Sequence, residues 1–228
     1  MVDKLPEDTK INTVMDNKNM NNIPKDIKPT EKGGVSVQGH IKIFDPTTKE
    51  VFVDKRNAIH YENFSIALAQ SISDQDNGPI AEMMFGNGGS RVDPTGIITY
   101  LTPNTVGSDA ALYNQTYYKT VDSKRNSSID PARNFMETRH LTGTAYTDVL
   151  VSCLLDFGEP NDQSAFDTGT SSTTDYIFDE LGLRSYSVDG PNMGILLTHV
   201  IFHPVQKSLN RMIQIDYTIR IQSISTGI

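Results

Sequence analysis

The sequence has no tryptophan and only one cysteine, and it contains neither a cluster of basic residues nor a long apolar run. A single cysteine, Cys153, excludes an intrachain disulfide. It lies within the apolar residues 149–155, which predicts a small buried hydrophobic side chain rather than a reactive thiol. The lack of tryptophan, the best ring for stacking on sugars, weighs against a carbohydrate-binding receptor module.

The charge balance excludes further classes of partner. The formal net charge is −8, and the short basic pair Lys124 and Arg125 sits beside Asp122 and Asp130. Direct nucleic-acid binding needs clustered Lys and Arg to displace counterions from phosphates, so we expect none here. No stretch approaches the about 18–20 apolar residues that span a bilayer, and the N-terminus lacks the basic-then-apolar order of a signal peptide. We expect a protein made and assembled in a cytoplasm, with no membrane partner.

Residues 1–34 differ in composition from the rest of the chain. No aromatic residue occurs before Phe44, and Lys alternates with Asp and Glu. Such a segment cannot bury enough apolar surface to offset its chain entropy, which predicts a flexible or extended N-terminal arm. It is either a plain solvated tail or an arm that docks on its own or an adjacent subunit. The candidate subunit contacts are Leu5, Ile11, Val14, Met15, Met20, Ile23 and Ile27.

Residues 35–228 are predicted to form one β-rich domain. Apolar and polar residues alternate over 35–44 and 50–54 around a turn at 45–49, which predicts a hairpin. Residues 63–72 show helical spacing, with Asn63 as a candidate cap. Shorter strands are expected at 80–85, 97–101 and 112–121, and a strand pair at 135–141 and 146–157. The fold class is therefore mainly β, an antiparallel sandwich-like domain with one short helix and long loops.

The C-terminal third is the most regular part. Residues 176–186 predict a strand broken at Gly182, and residues 195–202 predict a central strand that Pro204 ends. Residues 211–221 alternate along their whole length, so one face is expected to be buried and the other wet.

Two histidines and a glycine-rich segment are candidate binding sites. His199 and His203 have the spacing of a zinc helix but lie in a predicted strand, about 13 Å apart, too far to share a metal. The glycine-rich segment does not precede a helix, as a phosphate-binding loop would, so a structural turn or a close backbone approach is expected. Its residues are Gly86, Asn87, Gly88 and Gly89.

Catalytic groups are not apparent. Asp156, Glu159, Asp179 and Glu180 are interpreted as solvated carboxylates at loop edges, without the spacing of a calcium loop. There is no GxSxG element and no plausible Cys–His context. We therefore expect a protein that is not an enzyme and that binds no cofactor or metal.

Four short motifs occur in a fixed order along the chain. They are residues 80–89 (IAEMMFGNGG), 178–183 (FDELGL), 196–198 (LLT) and a turn at Lys207-Ser208 before the last strand. This pattern resembles the N-terminal attachment domains of tail-collar fibre and baseplate-associated proteins of tailed, myovirus-like bacteriophages. Those domains carry an "fGdGG" turn, an "eiGL" strand and a lysine-containing turn. The resemblance implies a virion structural protein whose partners are other phage structural proteins.

Two departures from that family bear on the expected place in the virion. Fibre proteins continue into a long shaft, whereas this chain stops at Ile228, and the arm is not part of their pattern. We expect a tail, neck or baseplate adaptor or collar component, present as a homo-oligomeric ring or lattice. A capsid decoration protein is the alternative, and a receptor-binding module is a weaker one. Loops 91–114 and 158–174 are the expected lateral contacts.

Overall fold

A computed structural model describes residues 33–122, 124, 130–161, 163, 165 and 175–225. These residues belong to one compact unit that runs from Gly33 to Ser225. The first strand begins two residues before the predicted start of the domain. The predicted arm, with Leu5, Ile11, Val14, Met15, Met20, Ile23 and Ile27, lies outside the described residues, as does most of the predicted 158–174 loop.

Eleven strands and one helix make up the described part of the chain. In chain order they are β1 (Gly33–Phe44), β2 (Val51–Ile59), α1 (Tyr61–Ile72), β3 (Ile80–Gly86), β4 (Ser90–Val92), β5 (Ile98–Tyr100), β6 (Gln115–Thr120), β7 (Phe135–His140), β8 (Tyr146–Leu155), β9 (Asp175–Ser185), β10 (Leu196–Ser208) and β11 (Ile213–Ser225). Nine strands form one antiparallel sheet in the order β6-β3-β9-β10-β2-β1-β11-β8-β7, and β4 pairs with β5. The predicted mainly β class is confirmed.

The nine-stranded sheet curls so that its two halves face each other. The turning point is β2, which pairs with β1 along most of its length but with β10 through only two residue pairs. Buried side chains from both halves join in one core cluster, including Ile41, Val151 and Ile215 from one half. Phe178 and Leu183 of β9 belong to the same cluster and come from the other half. A single curled sheet therefore supplies both layers of the predicted sandwich-like core.

The last strand confirms the expected alternation. Ile213, Ile215, Tyr217 and Ile219 of β11 are buried, and the intervening polar side chains are only partly exposed. Successive strand side chains point to opposite faces, so one face of β11 lies in the core. The other face carries ion pairs such as that of Arg220 with Asp148 at 2.7 Å. Cys153, opposite Ile215 on β8, is buried as predicted.

Both predicted hairpins form. Between β1 and β2, Asp45 Oδ1 accepts hydrogen bonds from the backbone N–H groups of Thr47 and Thr48, at 2.7 and 3.0 Å. This is the local side-chain turn that Asp favours. Between β7 and β8, Gly143 adopts φ +87°, a conformation that glycine reaches without strain.

The helix was located correctly, but its cap was not. Helix α1 begins at Tyr61 and His60, not Asn63, is its N-cap: His60 Nδ1 accepts a hydrogen bond from the Asn63 N–H at 3.2 Å. The Asn63 side chain is buried and donates to the Leu196 carbonyl at 2.9 Å. Asn63 therefore fastens the helix to β10 instead of capping it.

Neither of the two predicted interruptions ends its strand. Strand β9 is continuous through Gly182, which is not a structural turn. A Cβ there would lie 2.6 Å from the Thr198 carbonyl oxygen of β10, so glycine permits a close approach of two strands. Strand β10 continues past Pro204, where the β9–β10 register shifts between Ile201 and Val205. Proline is tolerated at such an irregularity because a ladder bond is missing there.

Lys207 does not lie in a turn, contrary to the sequence prediction. It lies within β10, one residue before the strand ends, and has no solvent-exposed surface. Its Nζ donates to the carbonyl oxygens of Glu159 and Ser208, at 2.7 and 2.8 Å. Burial lowers the pKa of Lys207 to about 8. The lysine therefore joins β10 to the segment after β8 rather than standing in a turn.

Candidate interaction surface

Residues 87–114, between β3 and β6, form a segment that we call the projection. It contains the β4–β5 hairpin and the loop that follows it. Several large apolar side chains of the projection are exposed to solvent: Val92 (65 %), Ile97 (60 %), Tyr100 (51 %), Val106 (85 %) and Tyr113 (42 %). Contiguous exposed apolar surface marks protein-binding sites, and the presence of five exposed apolar side chains in this one segment makes it the candidate here.

The projection starts at the glycine-rich segment, where two backbones come close together. A Cβ on Gly86 would lie 2.5 Å from the Asn114 carbonyl oxygen, and one on Gly88 would lie 2.7 Å from the Asn114 nitrogen. The Asn87 N–H donates to the Asn114 carbonyl at 3.1 Å. Of the two predicted reasons for glycine here, close backbone approach is the correct one. The first and last residues of the projection are thereby joined.

Asp179 of β9 holds the first strand of the projection. Its Oδ1 accepts a hydrogen bond from the Gly89 N–H at 2.9 Å, and its Oδ2 accepts one from the Ser90 N–H at 2.7 Å. The Ser90 hydroxyl also donates to Oδ2. A single carboxylate therefore satisfies the backbone where the chain leaves β3 for β4.

Glu180, the next residue of β9, holds both ends of the projection. Its Oε1 accepts from the N–H groups of Gly88 and Asn114, at 3.0 and 2.8 Å. Its Oε2 accepts from the Tyr113 N–H at 2.9 Å and faces His199 Nε2 at 3.0 Å. Charge-assisted hydrogen bonds of this kind are roughly twice as strong as neutral ones.

The interpretation of these two carboxylates as solvated is wrong. Asp179 is 3 % exposed and Glu180 is fully buried. Their partners are backbone amides brought close by the fold, which is why burial is tolerated. Asp156 and Glu159 do lie at a loop edge and are partly exposed, where they form ion pairs with Arg133 and Lys119.

The two neighbouring carboxyl groups have opposite pKa shifts. Burial raises the pKa of Asp179 above its ordinary value despite the hydrogen bonds from Ser90. Burial acts on Glu180 in the same direction, but hydrogen bonds from His199 and from the amides of Asn114 and Tyr113 outweigh it. The pKa of Glu180 is therefore lowered, which keeps the charge where the donors converge.

Two buried histidines fasten the middle of the projection. His199 Nδ1 accepts from the Asn104 N–H at 2.8 Å, so its Nε2 carries the proton that is donated to Glu180. His60 Nδ1 likewise accepts from the N–H of Asn63, and its Nε2 lies 2.8 Å from the Gly107 carbonyl. His203, by contrast, is exposed and bonds to the Tyr100 hydroxyl. His199 and His203 thus have different environments.

Hydrogen bonds within the projection join its outgoing and returning halves. The Tyr113 hydroxyl donates to the Thr102 carbonyl at 2.7 Å, and the Asn104 side-chain amide donates to the Ala111 carbonyl at 2.9 Å. The Leu101 N–H donates to the Gly89 carbonyl at 2.9 Å. The projection is therefore fixed to the sheet and braced internally, while the five apolar side chains named above remain exposed.

The two outer strands of the sheet differ in how their edges are covered. At β6, the Gln163 side chain accepts from the Tyr118 N–H at 2.9 Å and donates to the Tyr118 carbonyl at 3.1 Å. It occupies the positions that another strand would take. The other outer strand, β7, carries the paired charges Glu137 and Arg139 on its exposed surface.

Sequence reasoning missed the carboxylates, His60 and Gln163 as organising residues. The signal that could have found the carboxylates is the sequence FDELGL, in which two adjacent acids interrupt an apolar strand. A charge in such a place is usually paired or hydrogen-bonded. No comparable local signal marks Gln163.

Other chemistry finds no support in the described part of the chain. Within it, no group of three or more His, Cys, Asp or Glu side chains is placed to hold a metal ion. Burial raises the pKa of the Cys153 thiol to about 12, which disfavours the nucleophilic thiolate. Among the described residues, no helix is long and apolar enough to cross a membrane.

Comparison with known proteins does not extend these observations. No protein-family model matches the chain, and no curated protein or solved structure is significantly similar to it.

Proposed function

We propose that this chain is a structural subunit of a phage virion: a tail, neck or baseplate adaptor or collar component. It joins neighbouring subunits through its arm, its edge strands and its loops, and it works by adhesion rather than by catalysis. The observation that carries the proposal is the projection, which is fixed by buried carboxylates yet presents Val106 and other apolar side chains to solvent.

The rigidity of the projection supports a binding role. Ordering a loop on binding costs about 1–2 kcal/mol per residue, and a segment already held by Asp179, Glu180 and His199 avoids most of that cost. Many weak contacts of one kind add up in a ring or lattice because of their effective concentration. A modest apolar surface on each copy is then sufficient.

The motifs that resemble phage attachment domains also support the proposal. The glycine-rich motif and the FDELGL motif are about ninety residues apart in sequence, yet Gly88 and Gly89 are bonded to Glu180 and Asp179. Two of the four motifs therefore form one structural unit at the base of the projection.

Val106→Asp tests the proposal in purified particles of the phage whose genome encodes the chain. Val106 is exposed, so the substitution is expected to change stability by less than about 0.5 kcal/mol. We expect the copy number per particle, measured by quantitative mass spectrometry, to fall about tenfold or more because the contact is multivalent. Val188→Asp, at an exposed valine (62 %) outside the projection, is the matched control.

Absence of the wild-type chain from the particles would refute the proposal, and normal incorporation of Val106→Asp would refute the role of the projection. Copy number also separates the alternatives: tens of copies fit a tail or neck, and hundreds fit capsid decoration. Removal of residues 1–32, which precede β1, is expected to leave the domain folded but to prevent its incorporation.

A further inference from the structure

The registers of β8 with its two neighbours determine which backbone groups of β7 point outward from the sheet edge. The Ser223 N–H donates to the Ala145 carbonyl at 2.8 Å, and this pair extends the β8–β11 register. In an antiparallel ladder, backbone groups of successive residues point to opposite sides. The backbone N–H and C=O groups of odd-numbered residues of β8 therefore point towards β11, and those of even-numbered residues point towards β7. Leu154 follows this rule, because its N–H donates to Oδ1 of Asn134, the residue just before β7.

The β7–β8 register carries this alternation to the edge. Glu137 and Arg139 lie opposite Leu150 and Asp148, so their backbone groups point towards β8. Met136, Thr138 and His140 must then direct their N–H and C=O groups away from the sheet. Within the described residues these backbone groups have no partner. Such groups on an edge are ready to pair with another strand.

We propose that β7 pairs antiparallel with β7 of a second copy of this chain, about a two-fold axis at Thr138. In this register Thr138 lies opposite its own copy, and Met136 lies opposite His140. These are hydrogen-bonded pairs because they use the outward-facing groups, and they supply about six backbone hydrogen bonds. The inference specifies one of the edge-strand contacts that the proposed function includes, but it rests on the geometry of β7, and its test in solution does not require a virion.

Charge complementarity selects this register. It places Glu137 of each copy opposite Arg139 of the other, as a non-hydrogen-bonded pair in which side chains approach most closely. A shift to one adjacent register places Glu137 opposite Glu137, and a shift to the other places Arg139 opposite Arg139. Like charges directly opposite are destabilising. The edge is therefore complementary to itself in one register and repulsive in both neighbours.

The other outer edge cannot offer the same contact at Tyr118, because Gln163 occupies its backbone groups. The β7 edge is only six residues long, so the interface falls below the about 1,200 Å² of a stable complex. The dimer is expected to be weak in dilute solution and to form readily where copies are concentrated, as in an assembly.

Cysteine trapping tests the contact in the full-length chain. Thr138→Cys places two thiols on the axis, with Cα atoms about 5.5 Å apart, a separation that a disulfide spans. Cys153 is buried, so the parent chain supplies no competing thiol. With oxidised glutathione we expect T138C to form a disulfide-linked dimer on a non-reducing gel. S223C, at an exposed position on β11 outside the projection, is the control because both edges of β11 are already paired within the chain.

Charge reversal then tests the register. In the T138C chain, E137R or R139E alone is expected to slow cross-linking about tenfold, because two attractive pairs become repulsive. The double reversal E137R/R139E is expected to restore the parent rate, and a mixture of the two single variants is expected to yield mainly the heterodimer.

Cross-linking of T138C no faster than that of S223C would overturn the proposal, as would equal rates for the single and double reversals. If T138C fails to fold, sedimentation of the charge variants without the cysteine gives the same comparison. A dimer that is equally stable in all the charge variants would likewise refute this register.

Discussion

His199 Nε2 lies 3.0 Å from Glu180 Oε2, and neither side chain has any exposed surface. Because His199 Nδ1 accepts from the Asn104 N–H, the imidazole is the neutral tautomer with its proton on Nε2. The pair is therefore a hydrogen bond from a neutral ring to a carboxylate. This bond couples β9 to β10, and the bonds of His199 with Asn104 and of Glu180 with Tyr113 extend the coupling to the projection.

Replacing that carboxylate by an amide should release the projection. In Glu180→Gln, the side-chain NH₂ must face a backbone N–H or the imidazole N–H, which leaves buried donors unpaired. We expect urea denaturation to show a loss of about 2–4 kcal/mol in the free energy of unfolding. Amide exchange at Gly88, Tyr113 and Asn114 should accelerate. Glu62→Gln, exposed on the first turn of α1, should change stability by less than about 0.5 kcal/mol.

The lowered pKa of Glu180 predicts the sign of an acid effect. The unfolded chain binds the proton more tightly than the folded chain, so the stabilisation is complete above the ordinary value of 4.5 and is lost as pH falls through the folded pKa. The difference in unfolding free energy between wild type and Glu180→Gln should therefore shrink below about pH 4.5. A difference that stays constant down to pH 3 would contradict the assignment.

The lowered pKa of Lys207 predicts an effect of alkaline pH on stability. Its folded pKa of about 8 lies below its ordinary value of 10.5, so the charged form is penalised by burial in the folded state. Stability should rise between these two pH values, by at most about 1.4 kcal/mol per pH unit. Lys207→Met should lose this rise in pH-dependent denaturation, while Lys42→Met, at an exposed position on β1, should keep it.

Gly182 and Gly34 form a matched pair of strand glycines. A Cβ at Gly182 meets the Thr198 carbonyl at 2.6 Å, whereas one at Gly34 meets nothing within 4 Å. We expect Gly182→Ala to lower the unfolding free energy by about 1–3 kcal/mol and Gly34→Ala to change it by less than about 0.5 kcal/mol. Thermal denaturation of both variants measures the difference, and equal melting temperatures would show that the strands can separate at no cost.

What the sequence predicted well depends on neighbours in the chain. The buried face of β11, the Asp45 turn and the position of α1 follow from periodicity and turn chemistry within about ten residues. These signals survive because each segment packs in the way that its own pattern favours.

What the sequence did not predict depends on distant partners. Gly182 is a breaker by local preference, but the pairing of β9 with β10 determines its backbone, and Pro204 is accommodated where the same pairing shifts register. Asp179 and Glu180 appear solvated until the amides of Gly89 and Asn114, 90 and 66 residues away, are placed beside them. Tertiary contacts of this separation leave no periodic trace.

The Gln163 side chain has a consequence for the size of any assembly built by strand pairing. It imitates a strand at Tyr118 and so stops addition on that side, while a contact about a two-fold axis uses up the β7 edges of both copies. With both outer strands occupied in this way, joining by sheet edges would end at two molecules and would not continue into a fibre.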